Sequence, residues 1–359
     1  MIPIYRPYLT KENLQYAHEA LDSTWISSKG KYIGAAQEKL QEILGVKHVL
    51  LTNNGTSALH LVSRVIHRLY PGKRGLITGN NHYVAAWNAW EYESHFRLST
   101  VDADSETWNM DLESLPEDHW ATVISVVHNL GNIVDVPALK LKYPKAIIVE
   151  DACEAFGGLY GLRYAGTESF ASALSFYGNK NITAGEGGAF LTNSDEAFNL
   201  VKRMWGQGQS SQRFIHSELG FNYRMTNIQA AILYGQLKDF PEIFERKQAI
   251  WVRYREQLKD WVEYQKWEMG TQHSLWMFGI RVPGGEYGIA EKFFKRQGVE
   301  IRPMFYPITK HGHYKKIRGV MKVAEDLSRE CIILPSYPEL TNKDQDYVID
   351  TVKKYVEYI

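Results

Sequence analysis

Residues Ala171 to Asn193 read ASALSFYGNKNITAGEGGAFLTN. Two short apolar segments, predicted to be buried strands, enclose a polar turn that carries Lys180, and Gly185 to Gly188 leads into the second segment. Small, hydroxylic and glycine neighbours would let a flat or phosphorylated ligand approach the backbone closely. A lysine in that setting can become a Schiff-base nucleophile, whereas the ordinary alternative is a solvated lysine in a β-hairpin turn.

Composition limits the possible function classes. The chain has 359 residues, of which 44% are hydrophobic and 23% charged, which is typical of a globular protein with a substantial core. A formal net charge of +0 gives no global electrostatic reason to expect a nucleic acid partner. The two cysteines, Cys153 and Cys331, form neither a disulfide framework nor a metal-ligand spacing, which predicts no metal and a reducing compartment. No apolar run is long enough to cross a bilayer, so we expect a soluble, cytoplasmic protein with no membrane partner.

Short apolar segments alternate with helical patterns through the first half of the chain. Strands are predicted at residues 46–52, 75–78, 97–102, 122–128 and 146–152. This alternation is typical of an α/β fold with a mainly parallel sheet that helices cover on both faces. In such sheets ligands bind at the carboxyl ends of the strands. We expect five positions to be neighbours in space because they fall at or just after predicted strand ends: Asn54 to Ser57, Tyr83, His128, Asp151 and Lys180.

The second half of the chain predicts a smaller domain. A long loop enters a helix at Thr226 or Asn227, and one long, charged helical pattern runs from Pro241 to Trp267. Short strand and helix patterns follow, as in a small α+β domain. We therefore predict a large domain with an N-terminal arm over residues 1–240, and a small domain over residues 241–359 that the long helix enters. Residues 23–34 are interpreted as a connecting loop.

The Gly55-Thr56-Ser57 sequence opens an amphipathic helix directly after a strand. The unpaired N–H groups and partial positive charge of a helix N-terminus suit a phosphate. The alternative is simple capping of the helix by Asn54, Thr56 or Ser57.

Asp151 ends a buried strand, where a carboxylate needs a cation or hydrogen bonds. A direct ion pair with Lys180 is one explanation. The other places both residues around pyridoxal 5′-phosphate (PLP), with Asp151 keeping the pyridine nitrogen protonated and Lys180 bonded to the cofactor. The Gly55 helix start would then hold the phosphate, and Tyr83 would stack on the ring.

Eight stretches, spread nearly from end to end, carry a resemblance to a known family. They are TWISSKGKYI, NNGTSALHL, VDADSETWNMD, VVHNLGNIVDV, VEDACEAFGG, SFYGNKNITAGEGGAF, GFNYRMTNIQAAI and IRPMFYPI. With them the chain resembles the DegT/DnrJ/EryC1/StrS sugar aminotransferases, which belong to the aspartate-aminotransferase-like PLP enzymes of fold type I. The two most specific stretches, SFYGNKNITAGEGG and GFNYRMTNIQAA, are similar to the perosamine-synthase branch, a close cousin of the viosamine-type 4-aminotransferases. The resemblance implies a mainly parallel, seven-stranded sheet flanked by helices and a smaller C-terminal α+β domain.

The resemblance also implies roles for individual residues. Lys180 would be the Schiff-base lysine and the general base, and Asp151 would pair with the pyridinium. The other expected cofactor contacts are Gly55, Thr56, Ser57 and Ser175 to the phosphate, Tyr83 to the ring, Glu154 to the 3-hydroxyl, and Asn222 to the phosphate of a neighbouring subunit. The expected sugar-nucleotide contacts are Ser28, Lys29, His216, Arg224, Arg302 and Tyr306. Since Asn222 would reach another subunit, the resemblance implies a homodimer with shared active sites.

The activity that the resemblance implies is amination of C4 in a nucleotide-linked 4-keto-6-deoxyhexose, with L-glutamate as the amino donor. Amination of a 3-ketosugar at C3, a different nucleotide base and a non-catalytic PLP-fold binding or regulatory protein remain alternatives. Lys180 disfavours the related PLP-dependent sugar dehydratases, which carry histidine at that position. The aromatic residue usual in the family is missing at IGAAQEKL, residues 33–40, and His82 and Trp87 stand where smaller residues are common, so we expect an altered substrate pocket. Cys153 stands where the family often has alanine.

Overall fold

A computed structural model of the chain describes residues 1–116, 122–314, 317 and 321–359. The α-helices of this part are α1 (Lys11–Asp22), α2 (Lys31–Leu44), α3 (Gly55–Leu69), α4 (Ala85–Glu91), α5 (Val136–Lys142), α6 (Asp195–Trp205), α7 (Asn227–Leu258), α8 (Tyr287–Arg296), α9 (Lys322–Glu330) and α10 (Asn342–Tyr358). The strands are β1 (His48–Thr52), β2 (Gly75–Gly79), β3 (Arg97–Val101), β4 (Thr122–Val127), β5 (Ile147–Asp151), β6 (Leu159–Tyr160), β7 (Arg163–Tyr164), β8 (Ser172–Ser175), β9 (Gly188–Thr192), β10 (Thr271–Gln272), β11 (Phe278–Arg281), β12 (Arg302–Pro303) and β13 (Cys331–Leu334).

Seven strands form one large sheet in the order β1-β9-β8-β5-β4-β2-β3. β9 is antiparallel to both of its neighbours, and all other neighbouring pairs are parallel. Parallel neighbours need crossover connections, so helices cover both faces of the sheet and the strands are apolar on both sides. One apolar cluster includes Leu59, Val62 and Val201 of α3 and α6, and another includes Leu40 and Leu233 of α2 and α7. The predicted fold class is confirmed.

A smaller C-terminal α+β unit surrounds the three-stranded sheet β11-β13-β12. Its apolar core joins Tyr254 of α7, Phe278 of β11, Phe294 of α8 and Val352 of α10. The N-terminal arm reaches this unit, because Ile2 pairs with Val299 through backbone hydrogen bonds.

The long helix was predicted at the correct entry point but with the wrong extent. α7 begins at Asn227, which is one of the two predicted starting residues, and Thr226 and Gln229 form a capping box there. It then runs through Pro241 and ends at Leu258, so the predicted helix from Pro241 to Trp267 is wrong at both ends. Packing of the first half of α7 against α1 and α2 offsets the loss of the backbone hydrogen bond that Pro241 cannot donate. The predicted boundary between residues 240 and 241 falls inside this helix, and the division into domains stays a prediction.

The segment at residues 23–34 is a loop only as far as Gly30, because α2 begins at Lys31. The side chain of Asn227 accepts a hydrogen bond from the backbone N–H of Tyr32 at 2.9 Å and donates to the carbonyl of Trp25 at 2.7 Å. This single amide therefore holds the loop and the start of α2 against the start of α7.

The carboxyl ends of β1, β2, β5 and β8 lie at the same edge of the large sheet. They lead into Gly55, Tyr83, the residues after Asp151, and the turn with Lys180 respectively. Within residues 1–116, 122–314, 317 and 321–359, every helix is too short or too polar to span a lipid bilayer.

Candidate active site

Lys180 lies in a constrained turn between β8 and β9. Its backbone N–H donates to the carbonyl of Tyr177 at 2.9 Å, and its own carbonyl accepts a hydrogen bond from the Tyr5 hydroxyl at 2.8 Å. The side chain is only 13% exposed, so Lys180 is not the solvated hairpin lysine of the ordinary alternative.

The amino group of Lys180 has an acidic and an aromatic neighbour. Nζ lies 3.9 Å from Oε1 of Glu154 and 3.8 Å from the centroid of the Trp276 ring. The ion pair of Lys180 is therefore with Glu154, and the alternative of a direct Asp151–Lys180 ion pair is wrong. An ammonium over an indole face is held by the quadrupole of the ring.

Asp151 is the last residue of β5 and is buried. The backbone N–H of Cys153 donates to its Oδ1 at 3.1 Å. Burial raises the pKa of Asp151, and the hydrogen bonds from Cys153 and the charges of Lys180 and His128 oppose that rise. The ionised carboxylate would be stabilised by a cationic partner at this point.

Glu154 is buried three residues further along the chain. Its Oε2 accepts a hydrogen bond from the backbone N–H of Leu130 at 2.8 Å, and Leu130 adopts a left-handed conformation with φ of 56°. Burial raises the pKa of Glu154 to about 7, with the charge of Lys180 lowering it and that of Asp151 raising it. A carboxyl group with a pKa near neutrality can share a proton with a neighbouring hydroxyl.

The start of α3 packs tightly against β8 and the residues after β5. Asn54 is the residue that caps the helix, since its Oδ1 accepts from the N–H of Ser57 at 2.8 Å. A Cβ atom added at Gly55 would lie 2.9 Å from Cβ of Ser175 and 3.0 Å from Sγ of Cys153. Glycine is therefore required for this close approach, which brings the helix N-terminus and Ser175 to one cradle.

Thr56 lies half-buried and Ser57 buried within the first turn of α3, next to that cradle. Gly188 adds a constraint that the sequence did not indicate, because a Cβ atom there would lie 2.8 Å from the backbone nitrogen of Gly55. The Gly185 to Gly188 run thus lets β9 pass close to the start of α3.

Tyr83 follows β2 and is exposed, with its ring 6.2 Å from that of Phe305. The two large residues near it, His82 and Trp87, are buried in the fold. His82 bonds to the amide oxygen of Asn129 at 2.9 Å, so His82 belongs to the core beneath Tyr83.

Asn222 and Arg224 lie on one segment beside the end of β1. The carbonyl of Tyr223 accepts from the N–H of Asn53 at 2.8 Å, and Arg224 donates through Nε to Oδ1 of Asn222 at 3.3 Å. The side chain of Asn222 is exposed, as a contact to another subunit requires.

The remaining predicted substrate residues lie in three other segments. His216 bonds to the carbonyl of Gln207 at 2.9 Å, and Ser28 and Lys29 lie in the loop that Asn227 holds. Arg302 is in β12, with a guanidinium nitrogen 3.8 Å from Glu300, and Tyr306 follows it with an exposed ring. The structure thus places Glu154 and Asp151 close enough to Lys180 to interact electrostatically, and it leaves the predicted substrate residues on separate loops and strands.

Trp276 and Tyr5 are the contacts of Lys180 that sequence reasoning missed. Trp276 sits in an apolar run that reads only as a strand, and Tyr5 lies in the N-terminal arm. Both contacts are tertiary, so no local pattern could have indicated them.

These residues fit PLP. The cradle at Gly55 and Ser175 suits its phosphate, and the buried carboxylate of Asp151 suits the protonated nitrogen of its ring. The shielded amine of Lys180 suits its aldehyde.

Comparison with known proteins agrees with this geometry. The family model for the DegT/DnrJ/EryC1/StrS aminotransferase family matches residues 7–353. A protein of Escherichia coli O157:H7 named GDP-perosamine synthase is 34% identical, over 99% of this chain and 98% of its own length. The protein of the same name from Caulobacter vibrioides is 32% identical over 97% of this chain and 96% of its own length.

Among solved structures, Helicobacter pylori PseC, an aminotransferase involved in the biosynthesis of pseudoaminic acid, superposes with a TM-score of 0.91. It is 26% identical, and the match covers 99% of both chains. The predicted family, fold and enzyme class are confirmed: the chain belongs to the DegT/DnrJ/EryC1/StrS aminotransferase family.

Proposed function

We propose that this protein is a PLP-dependent aminotransferase that converts a nucleotide-linked 4-keto-6-deoxyhexose to the 4-amino-4,6-dideoxyhexose. The observation that carries the proposal is the setting of Lys180, whose amino group is shielded and lies 3.9 Å from the Glu154 carboxyl group. Asp151 and Ser175 are the last residues of the adjacent strands β5 and β8, and Gly55 begins α3 after β1, whose carboxyl end lies at the same edge of the sheet.

PLP supplies an electrophilic aldehyde and a ring that withdraws electrons. Lys180 would hold it covalently and, once released, carry a proton at Nζ. Asp151 would accept a hydrogen bond from the ring nitrogen, and Glu154 would lie beside the ring hydroxyl. The expected contacts of the phosphate are Gly55, Thr56, Ser57 and Ser175, and Tyr83 would stack on the ring.

The sugar-nucleotide assignment rests on the relatives and on side-chain chemistry. The two proteins named GDP-perosamine synthase match this chain over nearly all of its length. Arg224 and Arg302 present guanidinium groups of the kind that bind diphosphates in a bidentate manner. Ser28, Lys29, His216 and Tyr306 would complete the sugar-nucleotide contacts, and L-glutamate would be the amino donor.

A homodimer is part of the same proposal, with Asn222 reaching the phosphate of the neighbouring subunit. Large apolar side chains are exposed on the loops near Asn222 and at residues 23–30, among them Trp25, Ile26, Phe214 and Leu219. Exposed apolar surface of this kind is typical of an interface. A cytoplasmic location also belongs to the proposal, since Cys153 and Cys331 are free thiols.

The experiment that tests the proposal is a panel of GDP-, UDP- and dTDP-linked 4-keto-6-deoxyhexoses, each incubated with L-glutamate and the PLP-loaded protein. NMR of the product identifies the aminated carbon. Amination of a 4-ketosugar at C4 supports the proposal. Turnover of only the corresponding nucleotide-linked 3-ketosugars, which carry their carbonyl group at C3, replaces it with the 3-aminotransferase alternative. If the pyridoxamine-loaded protein converts no ketosugar nucleotide even in a single turnover, the protein is a non-catalytic member of the fold.

A further inference from the structure

A second lysine lies buried behind the active-site lysine. Lys247, on α7, is fully buried, and its Nζ donates to the carbonyl oxygens of Trp276 and Ser336, each at 2.9 Å. Its Nζ also lies 5.3 Å from the ring centroid of Tyr5, whose hydroxyl bonds to Lys180. Lys247 thus joins the helix, the N-terminal arm and the chain segment that carries Trp276.

Trp276 is held at its backbone and at its ring. Lys247 binds its carbonyl, and its indole Nε1 donates to the carbonyl of Asn179 at 2.8 Å. Because the backbone carbonyl and the indole nitrogen are both held, one face of the ring stays turned toward Lys180. The Nζ atom of Lys180 lies 3.8 Å from the ring centroid. Such a fixed, buried ring is pre-organised to receive a cation.

The indole and the carboxyl group are different kinds of partner for Lys180. Glu154 has a pKa of about 7, so its negative charge is only partly present near neutral pH. The quadrupole of the indole does not titrate. A contact between an ammonium and an aromatic face changes an equilibrium constant by about two- to thirty-fold.

We propose that the released Lys180 ammonium packs against the face of the Trp276 ring. This contact shifts the equilibrium between the PLP form, in which Lys180 is bonded to the cofactor, and the pyridoxamine phosphate form, in which Lys180 is free, toward the latter. The inference rests on the proposed function. When Lys180 bonds to the aldehyde carbon of PLP, two of its three ammonium protons leave with the aldehyde oxygen as water. The remaining positive charge is then shared with the conjugated ring, so the indole face gains less from it.

The test compares the dissociation constants of PLP and pyridoxamine phosphate for the cofactor-free protein. Pyridoxamine phosphate has no aldehyde and leaves Lys180 free, whereas PLP captures it. General damage to the pocket affects both ligands and cancels in the ratio of their dissociation constants. We expect Trp276→Leu to lower the dissociation constant of PLP relative to that of pyridoxamine phosphate by more than about two-fold.

Two further variants isolate the aromatic face. Trp276→Phe also loses the hydrogen bond to Asn179 but keeps a ring, so it should lie closer to the wild type than Trp276→Leu does. Trp251 is as buried as Trp276, at 6% exposure, but packs on Phe278 in the C-terminal core. Trp251→Leu should therefore leave the ratio unchanged.

A ratio in Trp276→Leu within about two-fold of the wild type would overturn the inference, as would equal shifts in the Leu and Phe variants. Thermal unfolding shows whether each variant folds, and Trp276→Met, which fills irregular space without a ring, replaces the Leu variant if needed. A wild type that binds PLP without a covalent bond to Lys180 would instead refute the proposed function. The two failures are therefore distinguishable.

Discussion

The Glu154 carboxyl group lies 3.9 Å from the amino group of Lys180, measured from Oε1 to Nζ. Both side chains are shielded from solvent, and the second carboxylate oxygen of Glu154 accepts a hydrogen bond from the backbone N–H of Leu130. Electrostatic interactions are stronger in such a poorly solvated setting. The cofactor-free protein therefore holds, beside the amino group of Lys180, a carboxyl group whose charge changes near neutral pH because burial raises its pKa to about 7.

Glu154→Gln should change how the stability of the cofactor-free protein depends on pH. The pKa of Glu154 is raised from 4.5 to about 7 by burial. Between these values the folded protein keeps a proton that the unfolded chain has lost, so this residue makes stability fall as pH rises. We expect the wild type to lose about 1.4 kcal/mol per pH unit relative to Glu154→Gln in that range. Urea unfolding at several pH values measures the difference, and a pH-independent difference would contradict the expectation.

Lys247→Met should reveal the opposite slope at higher pH. Burial lowers the pKa of Lys247 from 10.5 to about 7. Between these values the unfolded chain binds a proton that the folded protein lacks, so the contribution of Lys247 to stability rises with pH. Relative to Lys247→Met, the wild type should gain about 1.4 kcal/mol per pH unit above pH 7.

The same urea unfolding experiments, extended to alkaline pH, test the Lys247 prediction. Lys238→Met is a suitable control, since Lys238 lies on the same helix but is exposed and paired with Glu12. A slope in the wild type that Lys247→Met retains would show that another group titrates in this range.

Sequence reasoning succeeded where chemistry is local. The positions of Gly55, Asp151 and Lys180 at or just after strand ends could be predicted, because strand patterns and turn residues span only a few positions in the sequence. The continuous helix α7 could not be predicted. Its internal proline usually marks the start of a helix, and only packing against α1 and α2 favours the extent that the structure shows. Lys247 lies in a charged pattern that predicts exposure, and its burial depends on carbonyls distant in sequence.

Gly55→Ala should weaken cofactor binding. The added Cβ would lie 2.9 Å from Cβ of Ser175 and 3.0 Å from Sγ of Cys153, closer than packed carbon atoms approach. We expect the dissociation constant for PLP to rise by about ten-fold or more, which corresponds to about 1.4 kcal/mol. Gly34→Ala is the control, since its Cβ would meet nothing within 4 Å in α2. It should stabilise the protein by about 0.5–1 kcal/mol and leave binding unchanged.

Asp151→Asn should affect PLP binding and Glu150→Gln should affect stability, although the two acids are adjacent on β5. The side chain of Glu150 faces the other side of the sheet, where it accepts hydrogen bonds from Tyr160 and from the backbone N–H groups of Gly166 and Ser169. Glu150→Gln should destabilise the protein by about 1–3 kcal/mol, because these partners lose a charged acceptor.

Asp151→Asn removes a carboxylate whose pKa burial raises, so the cofactor-free protein should keep its stability. Its affinity for PLP should fall, because the ring nitrogen loses its anionic partner. Unfolding and PLP titration of both variants test the pair of predictions. Loss of stability in Asp151→Asn with unchanged PLP affinity would show that this carboxylate has a structural role.

The most direct test of the central claim is the site at which PLP bonds to the protein. Borohydride reduction of the PLP-loaded wild type fixes the bond, and mass spectrometry of the digest identifies the modified lysine. We expect the phosphopyridoxyl group on Lys180, whose amine is shielded yet reachable. The adduct and the PLP absorption band should both be lost in Lys180→Ala. An adduct on Lys247 or another lysine, or an absorption band that persists in Lys180→Ala, would contradict the central claim.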